Sequence, residues 1–220
     1  MIQTYEAQNA ISHALRQTGP ACLTCSFQAE DMVVLHLVRE VLPAIPVLFL
    51  ETGYHFADVY RYRDEMTKRY GLNLVNVSAI ETVPQQESRL GILHQSSPDQ
   101  CCKLRKVGPL FAALEEYGVW FTGLRRVQSP TRANLQVVDR FALPSGKQLL
   151  KVSPLASWTD KEVWDFARDQ DLPLLLLYQA GYTSIGCEPC TALPLDQENA
   201  RSGRWAGRKL ECGIHIAGGH

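Results

Sequence analysis

No apolar stretch in the chain reaches the ~20 residues that span a bilayer. The first residues, Met1-Ile2-Gln3-Thr4-Tyr5-Glu6, lack the basic stretch and apolar run of a secretory signal. Neither a membrane partner nor export is therefore expected. Net charge is nearly absent as well. The 22 Lys and Arg against 23 Asp and Glu leave −1, which argues against duplex DNA or an anionic membrane surface as a broad electrostatic partner. Internal repeats and low-complexity tracts are missing too. The seven cysteines are odd in number and cannot all pair within the chain. A reducing cytoplasm, with thiols used for metal or catalysis, is the better expectation.

What is present fits an ordinary globular protein. Hydrophobic residues make up 45% and charged residues 20% of 220, and a chain of that length buries roughly 70% of its unfolded surface without disulfides. Short apolar runs alternate with helical patterns. Strands are expected at Ala21-Cys22-Leu23-Thr24-Cys25, Pro46 to Leu50, Leu72 to Val77 and Val119 to Gly123. Helices are expected from about 30 to 42, 56 to 70 and 98 to 117. This alternation implies right-handed βαβ crossovers and an α/β fold with an open, mostly parallel twisted sheet and helices on both faces. A late hairpin is expected from Leu135–Leu143 and Gln148–Val152 around Pro144-Ser145-Gly146. Ser97-Pro98-Asp99-Gln100 and Thr159-Asp160-Lys161-Glu162 both read as capping boxes. His13 and His36 fall in helical patterns. From Ala192 onward the chain turns polar and basic among glycines. We divide it into a 1–191 body and a 192–220 tail that folds over a site.

In such sheets ligands bind beyond the carboxyl ends of the strands. Three segments converge there: Ser26-Phe27-Gln28-Ala29-Glu30-Asp31, Leu50-Glu51-Thr52-Gly53-Tyr54-His55 and Gly123-Leu124-Arg125-Arg126. The first joins a strand to a helix, where amides and the helix dipole favour an anion, but it lacks the glycines of a phosphate loop. The third continues through Val127-Gln128-Ser129-Pro130-Thr131-Arg132, whose arginines match sulfate or phosphate oxygens. Ordinary turns and a solvated charged loop are the plain alternatives.

The cysteines divide by position. Cys22 and Cys25 lie in an apolar strand, where side chains three apart point to opposite faces, so core positions are expected. Cys101-Cys102 follows a capping box in the first turns of a helix, whose positive end favours thiolates. Cys187-Glu188-Pro189-Cys190 supplies a second pair. Four thiolates hold either tetrahedral zinc or an iron–sulfur cluster. Adjacent helical cysteines diverge by about 100°, which suits the broader cluster better than one ion. Lys106, four residues after Cys102, shares its helical face. Cys212, in Glu211-Cys212-Gly213-Ile214-His215, has Arg208, Lys209 and His215 nearby to favour a nucleophilic thiolate; an idle terminal cysteine is the alternative.

Taken together, Ser26–Asp31, Glu51-Thr52-Gly53-Tyr54-His55-Phe56, Gly123–Arg132 and Glu211–His215 resemble the assimilatory sulfonucleotide reductases over about residues 20–215. The two cysteine pairs are similar to those of the cluster-bearing, adenylyl-sulfate (APS) branch. That resemblance implies an adenine nucleotide α-hydrolase-like fold and a 4Fe-4S cluster on Cys101, Cys102, Cys187 and Cys190. It places substrate contacts at Ser26, Phe27, Glu51, Thr52, Gly53, Lys106, Gly123, Arg132, Arg201, Arg204 and His215, with Cys212 as the catalytic nucleophile. It further implies a thioredoxin or glutaredoxin-type reductant and leaves homo-oligomerisation open. The rival readings are reduction of phosphoadenylyl sulfate (PAPS) or of both nucleotides, an ATP-dependent ligase or RNA sulfurtransferase on the same fold, and a zinc-stabilised nucleotide-binding module.

Overall fold

The computed structural model describes residues 2–17, 19–196, 199–207, 209, 211, 213 and 214. Cys212 and His215 lie outside the described residues. The chain begins with α1 (Ile2–Leu15), then β1 (Ala21–Thr24), α2 (Ala29–Val41), β2 (Pro46–Glu51), α3 (Ala57–Tyr70) and β3 (Asn73–Ser78). Three short helices follow, α4 (Val83–Leu90), α5 (Leu93–Ser96) and α6 (Pro98–Cys102), and a π-helical turn (Lys103–Val107) leads into α7 (Gly108–Leu114). The chain continues through β4 (Val119–Phe121), β5 (Val138–Ala142), β6 (Gln148–Val152) and α8 (Asp160–Asp169). The six strands run in the order β3-β2-β1-β4-β6-β5. All pairs are parallel except β5–β6, as the alternating pattern implied. Consecutive crossovers carry the sheet outward from β1 through β2 to β3, and the order then reverses at β1 to β4.

Side chains alternate across this sheet with a period of two. Ala21, Leu23, Val47, Phe49, Val119 and Phe121 face a core shared with α1, α2, α3 and α8. Cys22, Leu48 and Trp120 face a second core against Leu110 and Leu114 of α7. Cys25, just past β1, joins the first core, so the CxxC-spaced Cys22 and Cys25 sit on opposite faces. Burial holds the Cys22 thiol well above the usual thiol range, with Lys147 pulling weakly the other way. Both sulfurs are packing groups.

Two local expectations fail for identifiable reasons. The helix foreseen over 98–117 is broken by the π turn and ends at Leu114. Pro109 lacks an amide donor and its ring would press on the carbonyl four residues earlier, so the turn ahead of it widens. The Ser97 capping box also does not form. Ser97 has φ −148° and ψ 75° and makes no side-chain cap bond, because it closes α5, donating its amide to Leu93 O at 2.8 Å. Thr159 caps α8 as expected, with its side chain accepting from Glu162 N and Glu162 reaching back to Thr159 N at 2.7 Å. The hairpin forms at 138–142 and 148–152 around Gly146, whose φ of +90° suits glycine.

Trp120 anchors the second core. It is fully buried, stacks edge-on against Phe141 at 5.3 Å, and donates Nε1 to Thr24 Oγ1 at 2.9 Å. Trp120→Ala should cost about 3–5 kcal/mol in a denaturant titration, whereas a loss under 1 kcal/mol would contradict this packing.

Candidate active site

At the switch between β1 and β4 the strand ends open into a pocket of about 510 Å³, where open α/β sheets bind ligands. Ser26, Gln28, Glu30 and Asp31 form one wall, and Gly123, Arg125 and Arg132 a second. Lys106, Gly186, Arg201, Arg204 and Glu211 complete it. One end is therefore acidic and amide-rich, the other strongly cationic.

The first loop is not built to cradle pyrophosphate. The Ser26 amide and hydroxyl both donate to Asp31 Oδ2 at 2.6 Å, and the Ala29 amide donates to Tyr178 Oη at 3.0 Å. Those amides are thus engaged within the protein. Phe27 stands where a phosphate loop would have glycine. It takes φ +61°, is fully buried, and packs on Phe49 and Tyr62, so its side chain belongs to the core rather than the pocket wall. Gly123 is required by close approach, since a Cβ there would run into the Asp31 carboxylate. Gln128 ties the two loops together, donating to Glu30 Oε1 at 2.6 Å.

The second loop turns away from the pocket. Glu51 accepts from Gly53 N at 2.7 Å and from Tyr60 Oη at 2.6 Å, and pairs with Arg63 at 3.2 Å. Thr52 is buried, with its Oγ1 3.4 Å from Cys187 Sγ. Gly53 lies against Val83 and Arg105 with φ +74°. Of this loop, Leu50 and His55 line the pocket, and Glu51, Thr52 and Gly53 do not.

Thr52 instead touches, through Cys187, a small neighbouring pocket lined by Cys101, Cys102, Cys187, Cys190, Tyr54, His94, Arg105, Lys106 and Trp205. The last two residues of α6, just ahead of the π turn, deliver Cys101 and Cys102 from one side. The other pair sits on a single 3-10 turn (Glu188–Cys190) docked onto the second loop, with Glu188 N donating to Tyr54 O at 2.7 Å and Cys187 bridged to His55. The four sequence-predicted thiols are thus brought together, although no three His, Cys, Asp or Glu side chains among the described residues converge as ligands of a single ion would.

The electrostatics of the four sulfurs diverge. Burial, then the charges of Cys102, Cys187 and Cys190, push Cys101 up to about 12. Burial raises Cys190 as well, with the charge of Cys187 second. Burial opposes ionisation of Cys187 too, yet Lys106, Thr52 and Arg204 outweigh it and leave its pKa below the usual thiol value. Lys106 and Trp205 line both pockets and form the wall they share.

Arg105 was not anticipated from the sequence, where it merges into the run Lys103-Leu104-Arg105-Lys106. It is buried, donating to Thr52 O, to Gln86 Oε1 at 3.1 Å and to Glu81 O at 3.3 Å, and lies 5.5 Å from the Tyr54 ring. Arg125, from the arginine loop, turns inward to Asp160 at 2.6 Å and serves structure. Arg132, by contrast, holds Glu211 through two bonds of 2.8 Å. Arg204 is buried, donating to Cys190 O at 3.3 Å and lying 4.5 Å from the Trp205 ring. It explains Gly186, because a Cβ there would collide with the guanidinium.

Partial burial, then the charge of Glu30, hold the Asp31 carboxyl above the usual carboxylate range, against the Ser26 hydrogen bonds and Arg132. The folded state therefore keeps this proton more tightly than the unfolded chain, and the contribution of Asp31 to stability falls as pH rises above about 4. Asp31→Asn should gain stability relative to wild type between pH 4 and neutrality in paired denaturant titrations. A difference that does not change with pH would contradict this.

The sequence profile of the phosphoadenosine phosphosulfate reductase domain matches residues 20–193. The adenosine 5'-phosphosulfate reductase of Mycobacterium tuberculosis (strain H37Rv) is 43% identical over 200 residues, 88% of this chain and 78% of that protein. The enzyme of the same name from Rhodococcus opacus is 42% identical over 193 residues, 86% and 76% of the two chains. The crystal structure of phosphoadenylyl-sulfate reductase from Candida auris superposes with a TM-score of 0.71 at 24% identity, covering 85% of this chain and 90% of that one; at that identity the likeness is one of fold. This chain belongs to the phosphoadenosine phosphosulfate reductase domain family, the sulfonucleotide reductases.

Proposed function

We propose that the chain is an adenylyl-sulfate reductase of sulfate assimilation, an oxidoreductase that converts APS to sulfite and AMP with electrons from a protein dithiol. The observation that carries this reading is the pocket of four cysteines opening, through Lys106, onto a nucleotide-sized pocket with a cationic end. Relatives at 42–43% identity that bear the APS reductase name support it.

In this reading the adenosine lies toward Ser26 and Gly123, beside Leu50 and His55 of the second loop. The phosphosulfate lies among Lys106, Arg132, Arg201 and Arg204, with His215 nearby and Phe27 supporting the loop from the core. The Cys212 thiolate attacks sulfur, and the sulfur–oxygen bond breaks with its electron pair leaving on AMP. The cationic side chains stabilise charge as it shifts to the phosphate oxygen. Cys212 is left as an S-sulfocysteine. A thiolate of thioredoxin or a glutaredoxin-type protein then attacks Cys212 Sγ and expels sulfite with the bonding electrons. The second thiol of the reductant resolves the mixed disulfide and restores Cys212. The 1–191 body supplies most of both pockets, and the 192–220 tail adds Arg201, Arg204, Trp205 and Glu211 to their walls and supplies the nucleophile, in a reducing cytoplasm.

Cys101, Cys102, Cys187 and Cys190 fit a 4Fe-4S cluster by donor chemistry, since four thiols share one pocket with Lys106 and Arg105 in its wall. A bound cluster would supply a fixed negative charge that orders these side chains. Each thiol must be deprotonated to ligate, and the raised Cys101 and Cys190 describe the cost of doing so without metal.

Reduction of PAPS is the second reading, favoured by the name of the family domain. Turnover of iron-replete protein on the two nucleotides decides between them. Faster turnover of APS is expected, and turnover of PAPS alone would overturn the assignment. Cys102→Ser should lose iron and acid-labile sulfide together with activity, while Cys22→Ala should retain iron at the wild-type level. Zinc without iron in the purified wild type would remove the cluster.

A further inference from the structure

We infer that Lys209 and Glu211 are positioning residues that clamp the C-terminal segment at two points, the four-thiol site and the arginines of the anion pocket, immediately ahead of Cys212. The inference rests on the reading of Cys212 as nucleophile, but its physical basis is separate. Lys209 Nζ lies 3.5 Å from Cys102 Sγ, 2.7 Å from Asp99 Oδ1 and 5.0 Å from the Trp205 ring centroid. Glu211 accepts from Arg132 Nε and Nη2 at 2.8 Å each and from Thr131 Oγ1 at 3.2 Å, with Arg201 Nη2 at 3.8 Å.

These are not ordinary surface ion pairs. The side chains of Arg132 and Glu211 are each only 10% exposed and meet through a paired, forked geometry, so removing one partner leaves a poorly solvated charge. Glu211 accordingly sits below the usual carboxylate range; burial opposes that shift, but Arg132 and Arg201 overcome it. On the other side, Asp99 is 88% exposed and can add little. What holds Lys209, itself 14% exposed, is the sulfur and the indole face. Ligation of iron makes that sulfur a thiolate, so the hold on Lys209 strengthens with the metal site.

The chain between these feet and the body is shaped for the task. Trp205 is buried with φ +49° and Ala206 follows with φ +53°, a backbone conformation that a bulky residue keeps only when its surroundings impose it. Arg201, Arg204 and Lys209 all lie within 5.8 Å of the Trp205 ring centroid, which supplies those surroundings. One foot therefore reads the thiol site and the other reads the arginines proposed to meet the phosphosulfate. Glu211 is bonded directly to Cys212, so the chain entering the nucleophile is fixed relative to both. Fixing a nucleophile near its target raises its effective concentration, and small misplacements cost rate rather than binding.

Hydrogen exchange of iron-loaded protein without substrate tests the clamp, read on peptides spanning 205–214. Lys209→Gln and Glu211→Gln should exchange faster there than wild type, Lys209→Arg should stay close to wild type, and peptides from β1 to β4 should be unchanged in all. In turnover, Lys209→Gln should lower kcat about tenfold with KM for the nucleotide changed less than threefold. Wild-type exchange in both glutamine variants overturns the clamp, and faster exchange with kcat unchanged overturns its positioning role. Failure of the wild type to turn over either nucleotide would instead sink the reductase reading, since the exchange comparison needs no substrate.

Discussion

Four sulfurs crowded into one poorly solvated corner repel one another as thiolates, so their arrangement depends on positive charge reaching them from the protein. Lys106 is the group that does this while also facing the larger pocket. Its influence is visible in Cys187, which ionises more readily than an ordinary thiol despite burial, in contrast to Cys101, which rises to about 12. Arg204 and Lys209 add to this from the C-terminal segment. Apart from Arg105, which serves the thiol site alone, the cations beside these sulfurs also face, or are linked to, the larger pocket. Charge on one site is felt at the other.

The fold supplies the adjacency. Reversal of strand order between β1 and β4 opens the crevice, and the two loops that follow these strands are joined by Gln128 and Glu30. The Ser26 and Ala29 amides of the first loop are occupied by Asp31 and Tyr178, so the pocket's positive charge comes from Lys106 and the arginines at the far end. That displacement separates this pocket from one built to hold the pyrophosphate of ATP. It also accounts for a carboxylate at Asp31 beside a glycine, Gly123, that cannot carry a side chain.

Much of this was legible in the sequence because it rests on periodicity and spacing. The strands at 21, 46, 73, 119 and 148, the opposite-facing Cys22 and Cys25, the Thr159 cap and the gathering of the two cysteine pairs all follow from local rules. What escaped depends on tertiary context. The π turn reflects Pro109 acting on a helix already committed, and Ser97 failed as a cap because it ends the preceding helix. Thr82, which does cap α4 with Gln85, carries the same signature as Ser97, with no helix ending on it. Arg105 and Glu211 look like surface charges in sequence, and their partners, the Thr52 carbonyl and Arg132, come from distant segments. Phe27, Glu51 and Thr52 belong to loops that reach the crevice, but the Phe27 side chain serves the core, that of Glu51 holds its own loop to Tyr60 and Arg63, and that of Thr52 serves the thiol site.

The division of labour between four cysteines that hold and one that reacts is tested most directly by peptide mass spectrometry of the iron-loaded protein after incubation with APS and no reductant. The expected result is one sulfonate on Cys212, absent from Cys212→Ser and released as sulfite when a dithiol protein is added. A sulfonate that persists in Cys212→Ser, or that maps to Cys101, Cys102, Cys187 or Cys190, would contradict it.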